Sequence, residues 1–217
     1  TFANEIGRVS QALGIDSHEV MRLVCADTRL NISPAYLRPG FAFGGSCLPK
    51  DLRAVTYRAR QEDIDTPLLT ATLESNRQQI ARAFDMITAS GKRRIGLLGL
   101  SFKAGTDDLR ESPLVSLIEM LIGKGMNVSI YDREVSRARL IGANKAYIER
   151  EIPHIWSLMR GDVGEVIQAS DVVVIGNGSK EFSGIRSQLR DDQNVVDLVR
   201  AFGPLRSDGA SYQGICW

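Results

Sequence analysis

The sequence predicts an α/β protein, with an all-helical segment over residues 1–91 followed by a doubly wound parallel sheet over residues 92–217. Three observations carry that expectation. Up to Gly91 the apolar residues recur at helical spacing, interrupted by one long loop rich in Pro, Gly and aromatics (Asn31 to Ser46). After Gly91, short β-branched and leucine runs alternate with helical stretches, the pattern of strands joined by crossover helices. At 217 residues and 43% hydrophobic, the chain is long and apolar enough to bury a sizeable core.

The elements follow in order. Phe2, Ile6, Val9 and Leu13 lie at i, i+4, i+7 and i+11, one face of a helix stopped by Gly14. That pattern is already running at Thr1, so the helix is expected to begin upstream. Asp16 is a good N-cap for a second helix with Glu19 three residues on, and Val20, Leu23 and Val24 fill one of its faces. A third helix is expected from near Pro49. The fourth has Thr66 as N-cap and Pro67 in its first turn, with Leu69, Leu73, Ile80, Phe84 and Ile87 along one side. Beyond Gly91, strands are expected at Arg94–Leu100, Val128–Tyr131, Val172–Ile175 and Val195–Val199. Ser112-Pro113 opens a helix that ends at Gly123/Gly125, and a polar helical stretch follows Ile175.

Composition narrows the function. Basic and acidic side chains number 27 and 26, without a basic stripe, which argues against a nucleic-acid partner. No run approaches the ~18 apolar residues of a membrane helix; the strongest, Ile95 to Leu100, already holds two glycines. Three widely spaced cysteines, without C-x-x-C or a neighbouring His, fit neither a disulfide framework nor a metal site, and a reducing cytoplasm is the expected compartment.

Two segments carry chemistry. In Gly40-Phe-Ala-Phe-Gly-Gly-Ser-Cys-Leu-Pro-Lys-Asp51, Gly44 and Gly45 permit close backbone approach. Cys47 precedes a helix start, with Lys50 nearby. A helix N-terminus and a cation both favour thiolate, the form that attacks carbonyl carbon. Asp51, four residues on, can share a face with Cys47 and orient or deprotonate a water. The second segment, Gly99 to Pro113, joins a strand's C-terminal end to a helix, where open α/β sheets hold their ligands. Lys103 and Arg110 can neutralise phosphate and Thr106 offers a hydroxyl; the plainer reading is a solvated turn capped by Ser112. Gly-x-Gly occurs at 123/125 and 176/178, but Val128 and Glu181 stand where a third glycine would complete a dinucleotide fingerprint. His18, His154, Trp156, Trp217, Cys25, Cys216 and the Lys92-Arg93-Arg94 run read as packing or surface residues.

Arg38 to Asp51 (RPGFAFGGSCLPKD), Gly96 to Leu114 (GLLGLSFKAGTDDLRESPL), Asn4-Glu5 and the terminal GICW together resemble the UDP-glucose/GDP-mannose dehydrogenase family. The likeness covers the whole chain. It implies a helical dimerisation module over residues 1–91 and a Rossmann-like sugar-nucleotide-binding domain over residues 92–217. It also implies oxidation of a hexose C6 alcohol to a carboxylate with NAD as acceptor. By this resemblance Cys47 is the nucleophile and Asp51 the carboxylate that handles water, while Lys50 and Arg110 contact the cofactor. Asn4, Tyr36, Arg38, Phe41, Gly44 and Lys103 contact the sugar nucleotide, and the loop holding Tyr36 and Arg38 reaches the other subunit of a homodimer. GDP-mannose is the favoured substrate; a UDP-hexose, or a non-catalytic dimerisation and nucleotide-sugar-binding role, remain open as alternatives. The family's catalytic Lys and Asn, and its NAD-binding domain, lie before Asn4 and outside these 217 residues. These residues alone are expected not to turn over. Ala35 departs from the second tyrosine of the family's GDP-mannose members.

Overall fold

The structure is a computed structural model that describes residues 9–10, 12–15, 17–29, 40–135, 142–203 and 211–216. Most of the expected first helix, the Asp16 cap and the side chains of Asn4, Tyr36 and Arg38 fall outside the described residues, as does Trp217. The chain divides into two compact units: residues 1–39 with 47–77, and residues 40–46 with 78–217.

The first unit is helical. Helix α1 runs Ser17–Ala26 and α2 runs Leu48–Gln61. Helix α3, Pro67–Thr88, begins where Thr66 and Pro67 were expected to start it and contributes to both units. Thr70 donates its N–H to the Thr66 carbonyl at 3.0 Å, and Gly91 stops the chain in the left-handed region at φ 69°. On the α1 face that carries Val20, Leu23 and Val24, Val20 is half-buried and Leu23 is 65% exposed. Helical spacing shows which residues share a face but not whether anything covers it.

The second unit is built on five parallel strands in the order β2-β1-β3-β4-β5. They are β1 Arg94–Leu98, β2 Asn127–Tyr131, β3 Val172–Ile175, β4 Asn194–Asp197 and β5 Tyr212–Gly214. Helix α4, Pro113–Gly123, lies between β1 and β2. Helices α5 (Gly142–Glu151), α6 (Ile155–Leu158) and α7 (Val163–Ala169) lie between β2 and β3. The polar stretch after β3 is a 3-10 helix, Lys180–Gln188.

Alternation along the strands covers the sheet on both faces. Ile95, Leu97, Val172, Val174 and Val196 enter one apolar cluster with Leu117 and Ile118 of α4 and Ala83 and Ile87 of α3. Leu98, Val173, Ile175 and Val195 enter the other, with Val166 and Ile167 of α7 and Phe182 of the 3-10 helix. This is the doubly wound sheet expected from the sequence. Trp156 packs against the first cluster. Lys92, Arg93 and Arg94 tie together the N-terminal ends of the strands: Lys92 Nζ donates to the Asp192 carbonyl and to Asn194 Oδ1, Arg93 donates to the Gly125 carbonyl, and Arg94 pairs with Asp171.

Candidate active site

The first unit presents the cysteine at a helix start. Cys47 is the N-cap of α2, with φ −100° and ψ −65°; Pro49 sits in the first turn, and Asp51 donates its N–H to the Cys47 carbonyl at 2.9 Å. That bond sets Cys47 and Asp51 one helical turn apart. Lys50 Nζ lies 3.1 Å from Asp51 Oδ1, and both side chains are about two-thirds exposed. The Cys47 thiol is exposed. Cys25 and Cys216 are also exposed thiols, and the three form no disulfide.

In the second unit, the two glycines ahead of Cys47 lie against the Gly99–Pro113 loop. A methyl on Gly44 would collide with the Glu111 carbonyl oxygen and come within 2.5 Å of Pro113 Cδ. Gly45 has φ +93°, and a methyl there would sit 3.0 Å from the Phe102 ring. Neither position has room for a side chain. Phe41, half-buried, packs on the larger apolar cluster, and the preceding Gly40 carbonyl accepts from Gln79 Nε2 of α3. Gln79 also reaches Cys216 Sγ at 3.2 Å, fastening the C-terminal segment beside the start of the glycine turn.

The loop itself is a folded structure and not the solvated turn of the plainer reading. Ser101, Leu109 and Ser112 are buried within it. Ser112 precedes α4 but makes no side-chain cap; its hydroxyl donates to the Leu100 carbonyl at 2.9 Å, closing the loop on itself. Arg110 donates Nε and Nη2 to the two oxygens of Asp108, both at 2.8 Å. That side-chain hydrogen bond holds the Asp108 carboxyl below the usual carboxylate range, against the opposing effect of burial. Lys103 is exposed, its ammonium 5.4 Å from the Phe102 ring centre and in no ion pair among the described residues. A cation held this way suits a phosphate.

Sequence reasoning missed the support beneath this loop. Asp132, immediately after β2, is buried; its Oδ2 accepts from the amides of Leu100 (2.7 Å) and Ser101 (3.0 Å). Its Oδ1 accepts from the amides of Glu134 and Val135. Asn177, just past β3, donates Nδ2 to Ser101 Oγ at 3.1 Å and to Asp132 Oδ2 at 3.4 Å. Gly99 has φ +89°, and a methyl on it would strike the Asn177 amide. An acidic residue directly after a strand was the available signal, and nothing in the sequence marked its partners.

A parallel sheet of this order changes winding direction between β1 and β3, and ligands of such sheets bind outside the strand C-termini at that crevice. The 99–113 loop, with the exposed Lys103, stands at that place. The second unit is thus a Rossmann-like α/β unit with a phosphate-compatible loop at its switch point. The chain belongs to the UDP-glucose/GDP-mannose dehydrogenase family: its central domain matches residues 1–78 and its UDP binding domain residues 96–204. GDP-mannose 6-dehydrogenase of Pseudomonas aeruginosa is 55% identical over all 217 residues, which are 49% of that protein. UDP-glucose 6-dehydrogenase of Rickettsia bellii is 31% identical over 208 residues, 92% of this chain and 43% of that protein. A crystal structure of a ternary complex of GDP-mannose dehydrogenase from Pseudomonas aeruginosa matches with a TM-score of 0.93 at 55% identity, over 100% of this chain and 49% of that one. The chain spans about half the length of the curated relatives it matches.

Proposed function

We propose that the protein carrying this chain oxidises the C6 alcohol of GDP-mannose to the carboxylate of GDP-mannuronate, a four-electron reaction that supplies alginate synthesis. The chain would provide the nucleophile and the sugar-nucleotide-binding half. The observation that carries the reading is the Cys47 turn: an exposed thiol at the start of α2, one turn from the Asp51 carboxylate.

In this reading two NAD+, bound in turn, would each supply the acceptor for one hydride leaving the substrate carbon. The cations expected near the cofactor fit a contact at its edge, since Lys50 and Arg110 are each already paired with a neighbouring carboxylate. The dinucleotide's main cradle belongs to residues outside this chain. Cys47 acts at the aldehyde stage. Its thiolate adds to the aldehyde carbon to form a hemithioacetal, and loss of hydride from that carbon leaves a thioester. Water, oriented by Asp51, attacks the thioester carbonyl, the C–S bond breaks, and the thiolate returns as the acid loses its proton. Lys103 holds phosphate, the Gly44-Gly45 turn lets the backbone approach the substrate, and Phe41 supplies an apolar contact, with Asn4, Tyr36 and Arg38 as further substrate contacts.

The functional partition is a dimerisation module over residues 1–91 and a nucleotide-sugar domain over residues 92–217, in a cytoplasmic homodimer. Large apolar side chains left open on the first unit, such as Leu23, Tyr57 and Ile15, support a subunit partner. Among the described residues no helix is long and apolar enough to cross a membrane, and no group of three or more His, Cys, Asp or Glu could hold a metal.

The test is stoichiometry in the complete protein. Two NADH per GDP-mannose, with no acid formed by Cys47→Ser, is the expected result. Two NADH per UDP-glucose but none with GDP-mannose would move the substrate to the uridine branch, and a Cys47→Ser variant that still makes acid would remove the thioester route.

A further inference from the structure

We propose that Asp132 and Asn177 are positioning residues for nucleotide-sugar binding: clamped to Ser101 at the β1/β3 switch point, they set the height and direction of the loop that presents Lys103. The inference rests on the substrate reading above and deepens it.

Each link is recorded in the second unit. Two successive loop amides, Leu100 and Ser101, point at one oxygen of a buried carboxylate. The Ser101 hydroxyl lies 3.2 Å from that same oxygen and 2.9 Å from the Lys103 carbonyl. It has one proton to give, and the shorter contact favours Lys103. Asn177 donates into the gap between Ser101 Oγ and Asp132 Oδ2, so the serine and the carboxylate share a donor where they would otherwise face each other with lone pairs. The other carboxylate oxygen is committed to Glu134 and Val135, which leaves Asp132 no freedom to turn. The chain of contact therefore runs from the ends of β2 and β3 through Ser101 to the backbone of Lys103. The loop's internal bonds (Ser112 to Leu100, Arg110 to Asp108) tie it to itself. Its other ties to the unit, Gly99 N–H to the Tyr131 carbonyl (2.8 Å) and Asn144 Nδ2 of α5 to Asp107 Oδ1 (2.7 Å), involve neither Ser101 nor Lys103, which leaves the clamp to set that stretch. Among the described residues, charged and titratable groups at this rim include Glu181, which accepts from Tyr131 Oη and Ser179 Oγ (both 3.2 Å), Arg133 and Glu134 directly after Asp132, and Asp197 at the end of β4.

Asn177→Asp provides the test, because it replaces the donor with a second carboxylate beside Asp132. Two carboxylates at that spacing cannot both ionise cheaply, but one shared proton restores the missing hydrogen bond. In the complete protein, the KM for GDP-mannose of Asn177→Asp, divided by that of the unsubstituted protein, is expected to rise about tenfold between pH 6 and pH 8.5. The kcat ratio should stay within about twofold, the signature of binding lost equally from ground and transition states. Asp197→Asn serves as the control. Asp197 is also buried at a strand end but accepts from Tyr212 Oη and the Val199 amide, away from the loop. It should lower the melting temperature and leave the KM ratio flat with pH. Ser101→Ala keeps both amide bonds and should raise KM several-fold at every pH. A KM ratio for Asn177→Asp that is flat with pH, or that only follows the melting temperature as in Asp197→Asn, overturns the inference while leaving the substrate reading intact. An unsubstituted protein that binds neither GDP-mannose nor UDP-glucose overturns both.

Discussion

Leu117 and Ile118 of the second unit are wholly buried, whereas Leu23, Tyr57 and Ile15 of the first are 65%, 59% and 50% exposed. The sheet unit closes its own core on both faces. The helical unit folds its backbone into good helices and leaves apolar side chains uncovered by any described residue. Backbone hydrogen bonding is local in a helix, so regular helices form there without a finished core. A parallel sheet has no such option: its strands are joined only through long crossovers, and they hold together only when both faces are covered.

That contrast can be broken at several places. The largest effect is expected at Ile118: Ile118→Ala should destabilise the second unit by about 2–5 kcal/mol, since its neighbours cannot collapse into the space. Denaturant melts would check it, and a loss under 1 kcal/mol would mean the sheet core is looser than its burial implies. Gly44→Ala should follow at about 1–3 kcal/mol, because the added methyl meets the Glu111 carbonyl and the Pro113 ring and not a flexible side chain. It should also raise the KM for the nucleotide sugar, which steady-state kinetics would read. Leu23→Ser sharpens the other half of the comparison. On an exposed surface it should change unfolding by no more than about 0.5 kcal/mol, while weakening the proposed self-association, read by sedimentation. A destabilisation as large as that of Ile118→Ala would show that the α1 face is covered after all.

The smallest effect is in acid. Hydrogen bonding to Arg110 lowers the Asp108 pKa, and hydrogen bonding to Arg94 lowers that of Asp171. A depressed carboxylate stabilises the fold fully above its unfolded value near pH 4 and loses that contribution as the pH falls through the lower folded value. Thermal melts should therefore be insensitive to these pairs between pH 5 and 8 and should fall below pH 4. Asp108→Asn should flatten part of that fall.

Much of the fold was legible because its signals are local. Thr66-Pro67 marked the start of α3, Ser112-Pro113 that of α4, and Val172–Ile175 is a strand over those same residues. The helices between β2 and β3 were not read. In α5 the apolar residues Tyr147 and Ile148 are flanked by Lys145 and Glu149 without a clean apolar stripe, and α6 has only four residues. Strand β5, Tyr-Gln-Gly, carries no apolar run and exists because β4 offers it an edge, with Val195 opposite Tyr212.

The same division runs through the candidate site. The residues proposed to carry chemistry (Cys47, Asp51, Lys103 and Arg110) were marked by their near neighbours: glycines, a proline and a strand-to-helix junction. The sequence by itself therefore determined the two-part organisation, the family and the chemistry-bearing segments, because each of these is written in residues a few places apart. Only the tertiary structure decided that Gly44 and Gly45 pack on the 99–113 loop, that Ser112 closes that loop where a cap was expected, and that Asp132 and Asn177 brace it. The contacts of Asp132 and Asn177 with that loop join residues 31 to 76 positions apart in the chain. A hydrogen bond across such a distance depends on how the strands are ordered in the sheet, and no local pattern of residue types records that order.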